Sequence, residues 1–90
     1  MLPRHPTDWV AYTVYMHEAG HIVSPNQQRI ERLHWGNEVD AWEWAKSHSL
    51  MWTPEQESYR RWALGTYLPW NPNPTPEERQ YGLYLPPRTF

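Results

Sequence analysis

The residues most able to do chemistry form one short run, His17-Glu18-Ala19-Gly20-His21, an H-E-x-x-H (HExxH) pattern. Residues four apart share one face of a helix, so both imidazoles can point at a single ion about 2.0–2.1 Å from each nitrogen. Glu18 sits one step round the helix, within reach of a water in an open coordination position. There it would act as general base towards a carbonyl polarised by the metal. The implied cofactor is Zn2+, and a protein site for it needs a third ligand.

Two residues compete for that place. Glu38, in Asn37-Glu38-Val39-Asp40-Ala41-Trp42, would meet the ion from the first turn of an adjacent antiparallel helix. Asp40 would then accept the free N–H of one imidazole and fix its tautomer. Without a metal, Glu38 and Asp40 are two carboxylates favouring a helix N-terminus. His34, thirteen residues after His21 in His34-Trp35-Gly36, is the other candidate. Glu38 is favoured. His5 and His48 lack comparable context and read as surface or packing residues. The extended H-E-x-x-H-x-x-G-x-x-H form is absent, since Ser24 and Gln27 stand where its Gly and third His belong.

The elements that position these residues are marked by proline and by capping residues. Periodic spacing of Trp9, Val10, Thr13, Val14, Met16, His17, Gly20 and His21 predicts a helix over about residues 8–24, started by Thr7 or Asp8 and ended before Pro25. Residues 25–36 read as a loop, with a turn of helix near Ile30–Leu33. Asn37 reads as the cap of a second helix, about 38–48. Thr53-Pro54-Glu55-Gln56 is a capping box with proline at the first helical position, so a third helix runs over about 54–67 with Tyr59, Trp62, Ala63 and Thr66 on one side. From about residue 69, Pro69, Pro72, Pro74 and Pro76 predict an extended region. Thr75-Pro76-Glu77-Glu78 repeats the cap pattern and starts a short fourth helix reaching Gln80 or Tyr81. The apolar tail from Leu83 to Pro87 would lie against the helices or a partner. The expectation is a mainly α chain: one small three- to four-helix domain, residues 1–90, with an HExxH active-site helix and a proline-rich extended C-terminal region.

Composition sets the limits. Ninety residues with no cysteine exclude disulfide scaffolds, Cys-type zinc fingers and thiol nucleophiles. A chain this short needs a metal, a partner chain or dense packing to hold it. Seven Trp and six Tyr can build a compact core, and their N–H and O–H groups then need partners. Trp42, Trp44, Trp52, Trp62 and Trp70 are too many to be fully buried together, so some could anchor a protein partner. Eight basic against ten acidic residues, without a block of either sign, give no surface for nucleic acid. No apolar run is long enough for a membrane, and the N-terminus lacks the apolar stretch of a signal peptide, which predicts a cytoplasmic protein.

H-E-A-G-H followed by E-V-D-A-W resembles the gluzincin zinc metallopeptidases, and within them the minigluzincin and ImmA/IrrE-type peptidases. The likeness covers about residues 16–45. It implies His17, His21 and Glu38 as zinc ligands, Glu18 as catalytic base and Asp40 behind them. His34-Trp35-Gly36 resembles instead the SprT-like peptidases, in which a His followed by Gly supplies the third ligand; where Glu38 binds the metal, the gluzincin resemblance implies that His34 lines the site and donates to an oxyanion.

Peptidases of this kind place a sheet before the H-E-x-x-H helix, and its edge strand binds substrate. Only sixteen residues precede His17, without period-two alternation. Three readings follow. In the first, a minimal hydrolase binds its peptide along the Pro69–Pro76 stretch or the tail. In the second, a partner chain or a second copy completes the cleft. In the third, a structural zinc staples a non-catalytic, Trp-rich protein-interaction module of the kind a small viral or mobile-element protein would use.

Overall fold

A computed structural model describes residues 6–25, 27 and 35–84, with side chains from residue 9 onward. Three α-helices lead the chain: α1 (Pro6–Val23), α2 (Trp35–His48) and α3 (Pro54–Gly65). Two 3-10 helices follow, Leu68–Trp70 and Glu78–Leu83. The described residues contain no strand, and no helix among them is long and apolar enough to cross a membrane. The expectation of a mainly helical domain holds.

Helices α1 and α2 form the principal pair. Their approach is set by Gly20, where an added Cβ would stand 2.5 Å from the Ala41 carbonyl oxygen and 3.0 Å from its Cα. Ala41 is itself fully buried. Only a hydrogen on one side and a methyl on the other let two backbones come this close. Thr13 and Gly20 mark the buried face of α1, with Met16 packed on the core, whereas Tyr15 and Ile22 point to solvent.

The apolar centre is small: Trp42, Ala45, Leu64 and Tyr81, flanked by Met16, Trp35, Val39, Trp52, Tyr59, Ala63 and Tyr84. Aromatic edges knit it together, with Tyr59 against Trp9, Trp42 and Trp62. The tryptophans divide as their number required. Trp42 is buried, Trp52 is half-buried beside it, and Trp70 is exposed. Polar groups within this interior are paired, apart from the Trp42 indole N–H. Gln56, fully buried, donates from Nε2 to Thr13 Oγ1 at 3.0 Å and accepts from the Thr53 N–H at 2.7 Å. The same glutamine is thus half of the capping box of α3 and the polar tie between α1 and α3.

Several boundaries differ from expectation. α1 opens at Pro6, so Thr7 and Asp8 lie inside its first turn, and α2 opens at Trp35, so Asn37 is helical and not the cap. Trp35 explains the early start: it packs on the core, and tertiary burial outweighs the local preference of Asn for a cap position. α3 ends at Gly65, where it meets the second 3-10 helix; a Cβ there would lie 2.9 Å from Gly82 Cα and from Tyr81 C. The region from residue 69 is not uniformly extended. Pro69 carries the φ that a first helical turn requires, and Trp70 and Asn71 close backbone bonds onto Tyr67 and Leu68. Thr75 and Glu78 exchange reciprocal bonds, Glu78 N–H to Thr75 Oγ1 and Thr75 N–H to Glu78 Oε1, which is the expected cap. It leads into a 3-10 helix through Leu83. The turn expected near Ile30–Leu33 and the tail beyond Tyr84 lie outside the described residues, while Tyr84 itself accepts a 2.6 Å bond from Arg61.

Glu57 gathers the cations of this half of the molecule. Arg60 and Arg61 bond its carboxylate at 2.6–3.1 Å, Trp52 donates at 2.9 Å, and Lys46 lies 3.7 Å away. Burial pushes this carboxyl up, but the bonds from Arg60, Trp52 and Arg61 outweigh it and hold the pKa down at about 2.

Two outcomes are expected. Gly20→Ala gains about 1 kcal/mol of helix propensity, but overpacking against backbone costs about 1–3 kcal/mol; the net effect is destabilisation, read as a lower urea midpoint. Because the Glu57 pKa is depressed on folding, its contribution to stability is complete above about 4.5 and is lost as pH falls towards about 2. The difference in Tm between the wild type and Glu57→Gln therefore narrows across that window.

Candidate metal centre

The turns of α1 and α2 on either side of the Gly20–Ala41 contact carry the candidate ligands. One helical turn separates His17 from His21, which places both imidazoles on the α2-facing side of α1. Glu38 stands almost one turn before Ala41 and is 3% exposed. Its two carboxylate oxygens divide between the rings: Oε1 lies 3.1 Å from His17 Nε2, and Oε2 lies 3.0 Å from His21 Nε2. The two Nε2 atoms are themselves 3.1 Å apart.

This donor set suits a divalent cation. Two imidazoles and a carboxylate converge on one point, and rings turned with their Nε2 lone pairs inward would repel the carboxylate there unless a cation lay between them. Tetrahedral coordination at about 2.0–2.1 Å separates neighbouring ligand atoms by about 3.3 Å, close to the spacing of these three groups. His17, His21 and Glu38 together could hold a metal ion.

The surroundings orient the ligands. The His17 ring lies flat against the buried Trp42 indole, centroids 4.2 Å apart and planes 12° from parallel. The Trp42 Nε1 atom is buried and has no hydrogen-bond partner among the described residues. Asp40 reaches His21 by way of Gln27, whose Nε2 donates to Asp40 Oδ2 at 2.6 Å and whose Oε1 lies 3.0 Å from His21 Nδ1. The sequence pattern suggested a direct carboxylate–imidazole bond; the inserted amide is a six-residue step from His21 along the chain, at the position where the extended motif would carry its third His. Glu18 is exposed, its Oε1 3.6 Å from His17 Nδ1 and beyond hydrogen-bond length.

Tyr67, just past the end of α3, was also missed. Partial burial raises its hydroxyl pKa, and the negative charges of Glu38 and Glu18 raise it further, which brings α3 into the electrostatics of the site. Nothing in its local sequence marks it, because the proximity arises from the packing of α3 on the helix pair. His34 and His5 lie outside the described residues. His48 sits on the exposed end of α2, stacked on Trp44 and donating to the Trp44 carbonyl at 2.9 Å, as an ordinary surface residue would.

Comparison with protein-family models, with curated proteins and with solved structures finds no match to this chain.

Proposed function

We propose that this protein is a zinc-dependent metallopeptidase-like hydrolase, with His17, His21 and Glu38 as ligands and Glu18 as general base. The observation that carries the reading is the convergence of two Nε2 atoms, 3.1 Å apart, on the Glu38 carboxylate across two helices, each facing one of its oxygens at 3.1 and 3.0 Å. Glu38 rather than His34 is the third ligand in this reading; His34 keeps the role of an oxyanion donor. When bound, zinc supplies a Lewis acid for a substrate carbonyl and a water made acidic enough to lose its proton near neutral pH.

The chain's own groups supply the rest. Glu18, exposed on the same turn as His17, would take a proton and return it to a leaving amine. Trp42 fixes the plane of the His17 ring. The substrate is a protein or peptide met in the cytoplasm. With no strand among the described residues, it would be held by the segment from Pro69 to Pro76, by the tail, or by a second copy or partner chain completing the cleft.

A second reading is the non-catalytic, zinc-stapled interaction module. The ligand geometry favours it in one respect, since the three donors join α1 to α2 in a protein whose buried apolar centre is small. Trp70, exposed and with its ring tilted against Tyr67, would then serve as a partner anchor.

Glu18 separates the two, because a structural zinc has no use for a base. Glu18→Gln is expected to retain one zinc per chain by elemental analysis and to lose hydrolysis of a peptide library; full retention of biological effect in that variant would favour the module. His17→Ala and His21→Ala are expected to lose the metal. Chelation should also lower the Tm of the wild type, since metal affinity becomes folding energy in a small domain. An unchanged Tm would remove the staple.

A further inference from the structure

Gln27 follows α1 by a tight turn, with the Ser24 N–H on the Gly20 carbonyl at 3.1 Å and the Gln27 N–H on the Ser24 carbonyl at 3.4 Å. Its side chain then reaches across to α2. The Nε2 group donates to two acceptors there, the Asn37 carbonyl at 2.9 Å and Asp40 Oδ2 at 2.6 Å. Neither can donate in return: one is a backbone carbonyl and the other a carboxylate. The amide therefore has one orientation that satisfies its neighbours, with its NH2 towards α2 and its oxygen towards α1.

That oxygen lies 3.0 Å from His21 Nδ1. A carboxamide oxygen only accepts, so Nδ1 must carry the proton. The lone pair of the neutral ring is then on Nε2, the atom 3.0 Å from Glu38 Oε2 and 3.1 Å from His17 Nε2. With the amide turned over, its NH2 would face Nδ1, the ring proton would move to Nε2, and the lone pair would point away from Glu38 and His17.

We propose that Gln27 is the positioning residue of the metal centre: its amide, locked by Asn37 and Asp40, holds His21 in the Nδ1–H tautomer that presents Nε2 as a ligand. The consequence for metal binding rests on the proposed zinc site, but the tautomer itself does not. Gln27 also makes the site a device of two helices and the turn between them, since an acceptor on α2 dictates the proton position on α1.

The test is run first on metal-free protein. Long-range 1H–15N NMR correlations of the histidine rings, recorded above the titration range of imidazole, are expected to show the Nδ1–H form at His21. Gln27→Met, which keeps the shape and removes the amide, should shift that ring to the Nε2–H form while the helical circular dichroism is unchanged. The double variant Gln27→Glu with Asp40→Asn gives up the bond to the Asn37 carbonyl and reverses the bond between the two side chains, but it still offers His21 an acceptor, and it should restore Nδ1–H. Competition with a chromogenic chelator for Zn2+ should show affinity about 10–100-fold weaker in Gln27→Met and largely recovered in the double variant. An Nε2–H ring in the wild type, or an Nδ1–H ring that persists in Gln27→Met, overturns the proposal. So does equal Zn2+ affinity in the wild type and Gln27→Met. If the wild type takes up no Zn2+ at all, the zinc reading fails, and the tautomer measurement still decides the role of Gln27. Should Gln27→Met fail to fold, the ring form in the wild type and in the double variant decides it.

Discussion

The close crossing of α1 and α2 at Gly20 and Ala41 is the constraint on which the rest of the molecule depends. A Cβ at Gly20 would overlap the Ala41 carbonyl oxygen, so the two axes would have to separate, and every group that spans them would lose its partner. Residues 17 and 21 flank Gly20 on one helix, and residues 38 and 42 flank Ala41 on the other. Glu38 therefore arrives at the two Nε2 atoms, and Trp42 arrives under the His17 ring, as consequences of a single contact. The H-E-A-G-H run encodes both its donors and, through its glycine, the distance at which they are used.

The interior shows the same economy with polar groups. Few large apolar side chains are fully buried, so amides take over part of the cohesion between elements. Gln56 caps α3 while it ties Thr13 of α1, and Gln27 ties His21 to Asn37 and Asp40. Such bonds add about 0.5–1.5 kcal/mol each when made, and an unmatched buried partner costs about 1–3 kcal/mol. They therefore specify the arrangement of helices more strongly than they stabilise it. The exception is the Trp42 indole N–H, which has no partner among the described residues. Its ring is nonetheless the surface on which His17 stacks.

What could be read from the sequence follows from the range of each signal. The third helix was readable at its start because Thr53, Pro54 and Gln56 form a closed local circuit; its end depends on Gly65 meeting Gly82, a contact between distant parts of the chain. The periodic face of α1 was readable through Thr13, Met16 and Gly20. Asn37 misled, because the burial of Trp35 carries α2 two residues further back. Around the candidate site, the pairing of His17 with His21 was readable from the helical repeat, whereas Glu38 was one of two residues offered beside them, and its approach depends on how α2 packs. Gln27 and Tyr67 were not readable, because one acts from a turn whose direction is set by the fold and the other from a helix end brought in by tertiary packing.

The geometry also bears on why a chain this small would keep such a cluster. The Nε2 atoms of two imidazoles and a carboxylate that is almost wholly buried face one another at hydrogen-bond distances. Satisfying them takes a proton or a cation, and the burial of Glu38 makes an uncompensated charge expensive. A cation held there would convert that cost into a link between α1 and α2, since each helix supplies ligands and neither could hold the ion alone. Such a link requires nothing of Glu18, which is exposed and lies outside the convergence. Cohesion therefore accounts for His17, His21, Glu38 and the groups behind them, and leaves the carboxylate at position 18 as the part of the H-E-x-x-H pattern that chemistry on a substrate would explain.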